Sequence, residues 1–211
     1  MKTILAFGDN LTWGFDPETE MRLAYEDRWP TVLEAGLGGA ARLIPEGLAG
    51  RTTAFDDHTG LPDRNGARIL PTLLATHMPL DAIIFMLGNS ELRTYIGNAI
   101  GAAHGMRRLI EITRTFPFQP PYTAPLILVV APPRLVATRH RELGPMFEGR
   151  IEESERLADH YRRLSAELSV TYFDAATVAM MTPLDGAHLD PANTRALGAA
   201  LAPVLRQMLS L

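Results

Sequence analysis

Continuous runs of apolar residues recur along the chain, separated by longer stretches in which apolar and polar positions follow each other with helical spacing. The first run covers residues 4–7 and stops at Gly8-Asp9. Continuous apolar runs of this length are typical of parallel strands that are buried on both faces. We predict strands at residues 3–7, 41–44, 81–87, 126–131 and 171–173.

Helical patterns fall between these strands. We predict helices at residues 28–37, 67–76, 96–116, 152–168 and 190–209, and an irregular loop at residues 134–147. Asp27 is a candidate cap for the first helix, and Asp190-Pro191 is a typical start for the last one. Because strands alternate with helices, the pattern predicts an α/β fold, a three-layer flavodoxin-like sandwich on a parallel sheet of about five strands.

Composition narrows the class of protein. A chain of 211 residues without internal repeats, low-complexity tracts or linkers is expected to form a single domain over residues 1–211. The net charge of −4, with no basic block, argues against nucleic acid or an anionic membrane as a partner. The absence of cysteine excludes disulfides and thiol catalysis. The first apolar run is too short for a signal peptide or a membrane span, so we expect a cytoplasmic protein.

Polar residues follow the predicted strands, where a parallel sheet would bring them to one edge. The candidates are Asp9-Asn10, Gly50, Asn89-Ser90, and the pair Asp185 and His188. An Asp three residues before a His can orient the imidazole and stabilise its cation, as a general base requires. The spacing alone favours a simpler interpretation, a turn residue next to a partly exposed histidine.

Four segments together resemble the signature blocks of the SGNH (GDSL) hydrolases. They are residues 7–14 (FGDNLTWG), 47–53 (GLAGRTT), 86–91 (MLGNSE) and 185–189 (DGAHL), and they occur in the family's order and spacing along essentially the whole chain. The amino-acid sequences of the first two segments are most similar to those of the bacterial arylesterase and acyltransferase subgroup. The resemblance implies a carboxylic ester hydrolase, with acyl transfer to alcohols as a further activity.

The resemblance also implies a role for each site residue. The residue at position 10 would be the nucleophile, His188 its general base, and Asp185 the group that orients His188. The backbone N–H groups of position 10 and Gly50, with the side chain of Ser90, would form the oxyanion hole.

Five further residues would contribute to the substrate pocket: Asp9, Leu11, Trp13, Phe15 and Asn89. Trp13 and Phe15 are equally plausible as packing aromatics. The implied ligand is a small ester, with no metal or organic cofactor. His58 next to Asp56 and Asp57 could suggest a metal cluster, but adjacent loop carboxylates are usually solvated. Relatives in this subgroup tend to form homo-oligomers, and we expect the same here.

The chain departs from the family signature at the nucleophile itself. Asn10 stands where the family has serine, Ser90 where it has asparagine, and Glu91 where it has aspartate. A carboxamide nitrogen is not basic and is a very poor nucleophile, so no ordinary acyl-enzyme can form at position 10. Three explanations follow: an inactivated or engineered form of an esterase, a natural relative that binds without hydrolysing, or a nucleophile relocated to Ser90. The last would need His188 within hydrogen-bond reach of Ser90.

Overall fold

A parallel five-stranded sheet organises the protein. The computed structural model describes residues 1–211, and the strands are β1 (Lys2–Gly8), β2 (Ala41–Gly47), β3 (Ala82–Met86), β4 (Leu126–Ala131) and β5 (Thr171–Asp174). Their order is β2-β1-β3-β4-β5, and every neighbouring pair is parallel. This is the flavodoxin-like order, so the predicted fold class is confirmed.

Seven α-helices connect and flank the strands. They are α1 (Asn10–Trp13), α2 (Trp29–Gly36), α3 (Gly66–His77), α4 (Ala99–Thr115), α5 (Leu143–Met146), α6 (Ile151–Glu167) and α7 (Pro191–Leu209). Short 3₁₀ turns occur at Tyr25–Asp27, Asn89–Leu92 and Ala175–Thr177. None of the helices is both long enough and apolar enough to cross a membrane.

Two apolar cores cover the two faces of the sheet. Alternate residues of each strand point to opposite faces, so Leu5 and Phe7 pack towards α3, α4 and α6, whereas Ile4 and Ala6 pack towards α2 and α7. The Phe7 and Phe85 rings meet edge to face, with their centroids 5.9 Å apart. The central strands β1 and β3 are thereby buried on both sides, and their carboxyl ends are held in fixed positions.

Several strands and helices begin or end at other residues than predicted, for local reasons. β2 continues past residue 44 through Pro45 to Gly47, which is possible because β2 is an edge strand and a residue whose N–H would face away from β1 can be proline. α4 begins at Ala99 rather than at residue 96, because the Asn98 side chain caps it by accepting from the Gly101 N–H at 2.9 Å.

Two local predictions are wrong. Asp27 does not cap α2, because its carboxylate instead accepts a hydrogen bond from Arg195 on α7. The segment 134–147 is not wholly irregular, since α5 lies within it. Asp190 caps α7 as predicted, and its side chain accepts from the Asn193 N–H at 2.8 Å.

Candidate active site

The end of β1 presents Asn10 at the carboxyl edge of the sheet. Asp9 caps α1, with its Oδ1 accepting from the Leu11 N–H at 3.1 Å, and the chain turns into the helix immediately. A side chain at Gly8 would lie 2.0 Å from Thr12 Oγ1, so only glycine allows this tight strand-to-helix turn. The half-buried Asn10 side chain therefore sits at the start of a short helix, beside the loop that follows β2.

The Asn10 carboxamide contacts that loop directly. Its Oδ1 accepts a hydrogen bond from the Gly50 N–H at 2.6 Å. Gly50 has φ of +79°, and a Cβ there would lie 2.8 Å from Arg64 Nε and 3.0 Å from Arg93 Nη2. Both the backbone conformation and the close approach of the two guanidinium groups require glycine.

Asp185 and His188 form a buried pair on the loop before α7. The Asp185 Oδ2 atom is 2.6 Å from His188 Nδ1, and its Oδ1 accepts from the N–H groups of Ala187 and His188 at 3.0 Å. Burial opposes ionisation of Asp185, but the hydrogen bond and charge of His188 keep the pKa of this carboxyl below its ordinary value. With Nδ1 donating to Asp185, the His188 Nε2 is left as a proton acceptor, and it forms no hydrogen bond within the protein.

The end of β3 supplies Ser90 and a basic cluster. Ser90 is buried, and its Oγ accepts from Arg93 Nη2 at 3.0 Å. Arg93 Nη1 also donates to Asp57 Oδ2 at 2.6 Å, and Arg64 donates to the same oxygen at 2.8 Å. Two guanidinium groups thus share one buried carboxylate beside Gly50.

Two buried carboxyl groups lie beneath these residues. Glu91 is fully buried, and its Oε1 accepts from both the N–H and the Oγ1 of Thr53. Burial raises the pKa of Glu91 to about 7, although the bonds from Thr53 act in the opposite direction. Burial likewise raises the pKa of Asp9 to about 6, against the opposing effects of the Leu11 N–H and the charge of His188.

A pocket of about 260 Å³ brings most of the predicted site residues together. Those lining it are Asp9, Asn10, Leu11, Gly50, Asn89, Ser90 and His188. Asp185 lies behind His188 and does not line the pocket. Trp13 and Phe15 do not line it either. The Arg22 guanidinium lies over the Trp13 ring, and the Phe15 ring packs against that of His188, with the ring centroids 4.3 Å apart.

Other pocket residues were not identified from the sequence. The apolar wall consists largely of Tyr95, Leu143, Met146 and Phe147, and the polar wall includes Arg64 and Arg93. The backbone bond from the Thr94 N–H to the Met146 carbonyl, at 2.9 Å, joins α5 to the segment after β3. Nothing in the local pattern of residues 134–147 indicates this contact, which depends on the path of the loop. No cluster of three or more His, Asp or Glu side chains is arranged to hold a metal ion.

Solved structures resemble this chain over its whole length. A carbohydrate acetylesterase family member from Sinorhizobium meliloti is 50% identical, with a TM-score of 0.96 and coverage of 100% of both chains. The native aryl esterase of M. smegmatis is 41% identical, with a TM-score of 0.94 and coverage of 99% of this chain and 100% of that one. The chain belongs to the SGNH (GDSL) hydrolase family.

A solved structure of much lower sequence identity shows the same fold. A lipolytic G-D-S-L family protein from Veillonella parvula is 14% identical, with a TM-score of 0.68 over 98% of this chain and 99% of that one. No protein-family model matches the chain, and a search of curated proteins gives no match. The Asn10 carboxamide, at the position for which the sequence resemblance implies a nucleophile, accepts the hydrogen bond from the Gly50 N–H.

Proposed function

We propose that this chain carries the ester-binding site of an SGNH hydrolase in a form whose hydrolytic activity is strongly reduced by Asn10. The form with serine at position 10 would hydrolyse aryl and short-chain esters through a covalent acyl-enzyme, with acyl transfer to alcohols as a second outcome. The observation that carries this proposal is the Asp185–His188 pair, which is intact and leaves Nε2 free while Asn10 and His188 line the same pocket. The relatives of the chain include an acetylesterase family member and an aryl esterase.

The chemistry of the serine form follows from the positions of these groups. His188 Nε2 would take the proton as the serine oxygen bonds to the ester carbonyl carbon, and would then give it to the departing alcohol. The carbonyl oxygen, which becomes negative in the tetrahedral intermediate, would accept from the Gly50 N–H and the Ser90 hydroxyl. Water activated by His188 would then release the acid and regenerate the serine.

Asn10 prevents this sequence in two ways. Its carboxamide nitrogen does not attack an ester, and its oxygen accepts the Gly50 N–H that the developing oxyanion would need. Loss of the catalytic nucleophile typically removes about 10⁶ of the rate. Loss of one oxyanion donor typically costs about 10²–10³, so the missing nucleophile is the larger effect.

The structure gives no support to Ser90 as a relocated nucleophile. A serine nucleophile needs a lone pair directed at the substrate and a base to take its proton. The Ser90 oxygen accepts from the Arg93 guanidinium, and its hydroxyl makes no hydrogen bond with His188. Its position favours a donor role.

Hydrolysis of p-nitrophenyl acetate by the unaltered chain, Asn10→Ser and Asn10→Ala tests the proposal. We expect the unaltered chain and Asn10→Ala to be close to the uncatalysed rate, and Asn10→Ser to exceed both by several orders of magnitude. Turnover by the unaltered chain that Ser90→Ala abolishes would establish the relocated nucleophile instead. An inactive Asn10→Ser that binds an aryl ester would leave a binding function only.

A further inference from the structure

The hydrogen bonding of Ser90 is one-sided. A hydroxyl can donate one hydrogen bond and accept two, but Ser90 Oγ has a single protein partner, the Arg93 Nη2 that donates to it at 3.0 Å. The Ser90 hydrogen has no acceptor within the protein, although the residue is buried and lines the pocket. With one lone pair engaged by Arg93, this hydrogen is available to an oxygen atom of a ligand.

Arg93 is itself held rigidly. Its side chain is 9% exposed, and its Nη1 donates to Asp57 Oδ2 at 2.6 Å. Asp57 also accepts from Arg64 and from the N–H and hydroxyl of Thr59. Burial alone would raise the pKa of Asp57, but the hydrogen bonds from Thr59, Arg64 and Arg93 hold it well below its usual range. Asp57 therefore remains charged and fixes the guanidinium plane.

The same guanidinium lies beside the second oxyanion donor. A Cβ at Gly50 would be 3.0 Å from Arg93 Nη2, so the positive charge is close to the Gly50 backbone as well as to Ser90. In a partly buried site, a fixed charge near a developing oxyanion stabilises it more than it would in water.

We propose that Arg93 is a positioning residue of the oxyanion hole, which directs the Ser90 hydroxyl towards the carbonyl oxygen of the ester and adds a fixed positive charge beside it. The family signature has asparagine at this position, and the hydrogens of an amide are fixed in its plane. A serine hydroxyl rotates freely, so its hydrogen needs a neighbour such as Arg93 to direct it. This role rests on the proposed function, because it is expressed only when an acyl-enzyme can form.

Kinetics in the Asn10→Ser background test this role. We expect Ser90→Ala to lower kcat on the order of 10²-fold. Arg93→Gln should lower kcat by about 10-fold to 10²-fold while KM changes less than about threefold. Arg93→Lys, which keeps a charge and donor hydrogens, should recover part of the loss. In the presence of Ser90→Ala, Arg93→Gln should lower kcat by a smaller factor than it does with Ser90 present, because the positioning effect is lost with the hydroxyl and only the effect of the charge remains.

Arg64→Gln is the matched control. Arg64 shares Asp57 with Arg93 and lies equally close to Gly50, but it makes no hydrogen bond to Ser90. Its effect should therefore be additive with Ser90→Ala. Additive costs for Arg93→Gln and Ser90→Ala would overturn the positioning role. So would a loss of kcat in Arg93→Gln that comes with a lower melting temperature and is not recovered in Arg93→Lys. An inactive Asn10→Ser would instead refute the proposed function and the role of Arg93 with it.

Discussion

At position 10, a carboxamide fills space that a serine hydroxyl would leave open. Asn10 Oδ1 accepts from the Gly50 N–H at 2.6 Å, so the side chain engages a donor that we propose for the oxyanion. The neighbouring Asp185 and His188 are paired through a 2.6 Å contact, as the proposed hydrolase site requires. We therefore attribute most of the proposed loss of activity to Asn10.

The Asp185–His188 pair leads us to expect a large loss of kcat when the Asp185 carboxylate is replaced by an amide. In the Asn10→Ser background, Asp185→Asn should lower kcat on the order of 10⁴-fold, because an amide no longer selects the imidazole tautomer with a proton on Nδ1. Steady-state kinetics with p-nitrophenyl acetate measure this loss. Asp159→Asn, at an exposed position on α6, is the control and should leave kcat unchanged. A loss of less than about tenfold would show that His188 is not oriented by Asp185 during turnover.

Among the elements, the loop after β2 and the turn after β3 are joined below the pocket. Glu91 in the 3₁₀ turn Asn89–Leu92 accepts from two groups of Thr53, three residues after Gly50. Asp57, Arg64 and Arg93 join the same two segments above it. These contacts fix the relative positions of the Gly50 N–H and the Ser90 hydroxyl.

Gly50→Ala should destabilise the protein more than a glycine-to-alanine substitution that strains only the backbone. Gly39 has the same φ of +79°, but a Cβ added there would have no atom within 4 Å, whereas a Cβ at Gly50 would meet Arg64 and Arg93. Gly39→Ala should cost about 1–2 kcal/mol of unfolding free energy from left-handed strain, and Gly50→Ala clearly more. Urea unfolding of both variants provides the comparison. Equal costs would show that the two arginines move aside freely.

The sequence predicts the elements best where local signals decide them. The apolar runs of β1 and β3 and the Asp190-Pro191 start of α7 are sufficient to locate those elements. The cap of α2 is mispredicted because a distant partner, Arg195, binds Asp27. The pocket wall from α5 is not predicted at all, because Leu143, Met146 and Phe147 reach the site through the tertiary path of their loop.

For the whole molecule, the buried carboxyl groups predict a pH dependence of stability. The pKa of Glu91 is raised from 4.5 to about 7 by burial, and that of Asp9 from 3.8 to about 6. A raised pKa in the folded state means that folding favours the protonated form. The contribution of such a group to the free energy of unfolding is fully present below the unfolded-state pKa and is lost as the pH rises through the folded-state pKa. Stability from these two groups should therefore fall between about pH 4 and pH 7.

Glu91→Gln isolates one of these contributions. Glutamine cannot ionise and keeps an oxygen for Thr53, so the variant should lose less stability than the unaltered chain between pH 5 and pH 8. The difference should be up to about 3 kcal/mol, from 1.36 kcal/mol per pKa unit. Urea unfolding at both pH values measures it, with Glu152→Gln at an exposed position of α6 as the control. Identical pH dependence in Glu91→Gln and the unaltered chain would mean that Glu91 is not protonated in the folded state.

The architecture explains why residues far apart in the sequence could be predicted to lie together. In the order β2-β1-β3-β4-β5, the chain places β2 on one side of β1 and then β3 on the other side. The carboxyl ends of β1, β2 and β3 therefore meet at one edge of the sheet. Asn10, Gly50 and Ser90 follow those strands and line one pocket. The sequence does not predict the arginine pairs around Asp57, because ion pairs between loops leave no periodic pattern.

Labelling with a phosphonylating aryl reagent, followed by peptide mapping, tests the central claim most directly, because it identifies the nucleophile itself. The account predicts no adduct on the unaltered chain and one adduct on Asn10→Ser, located at residue 10 and abolished by adding His188→Ala. An adduct at Ser90 of the unaltered chain would contradict it.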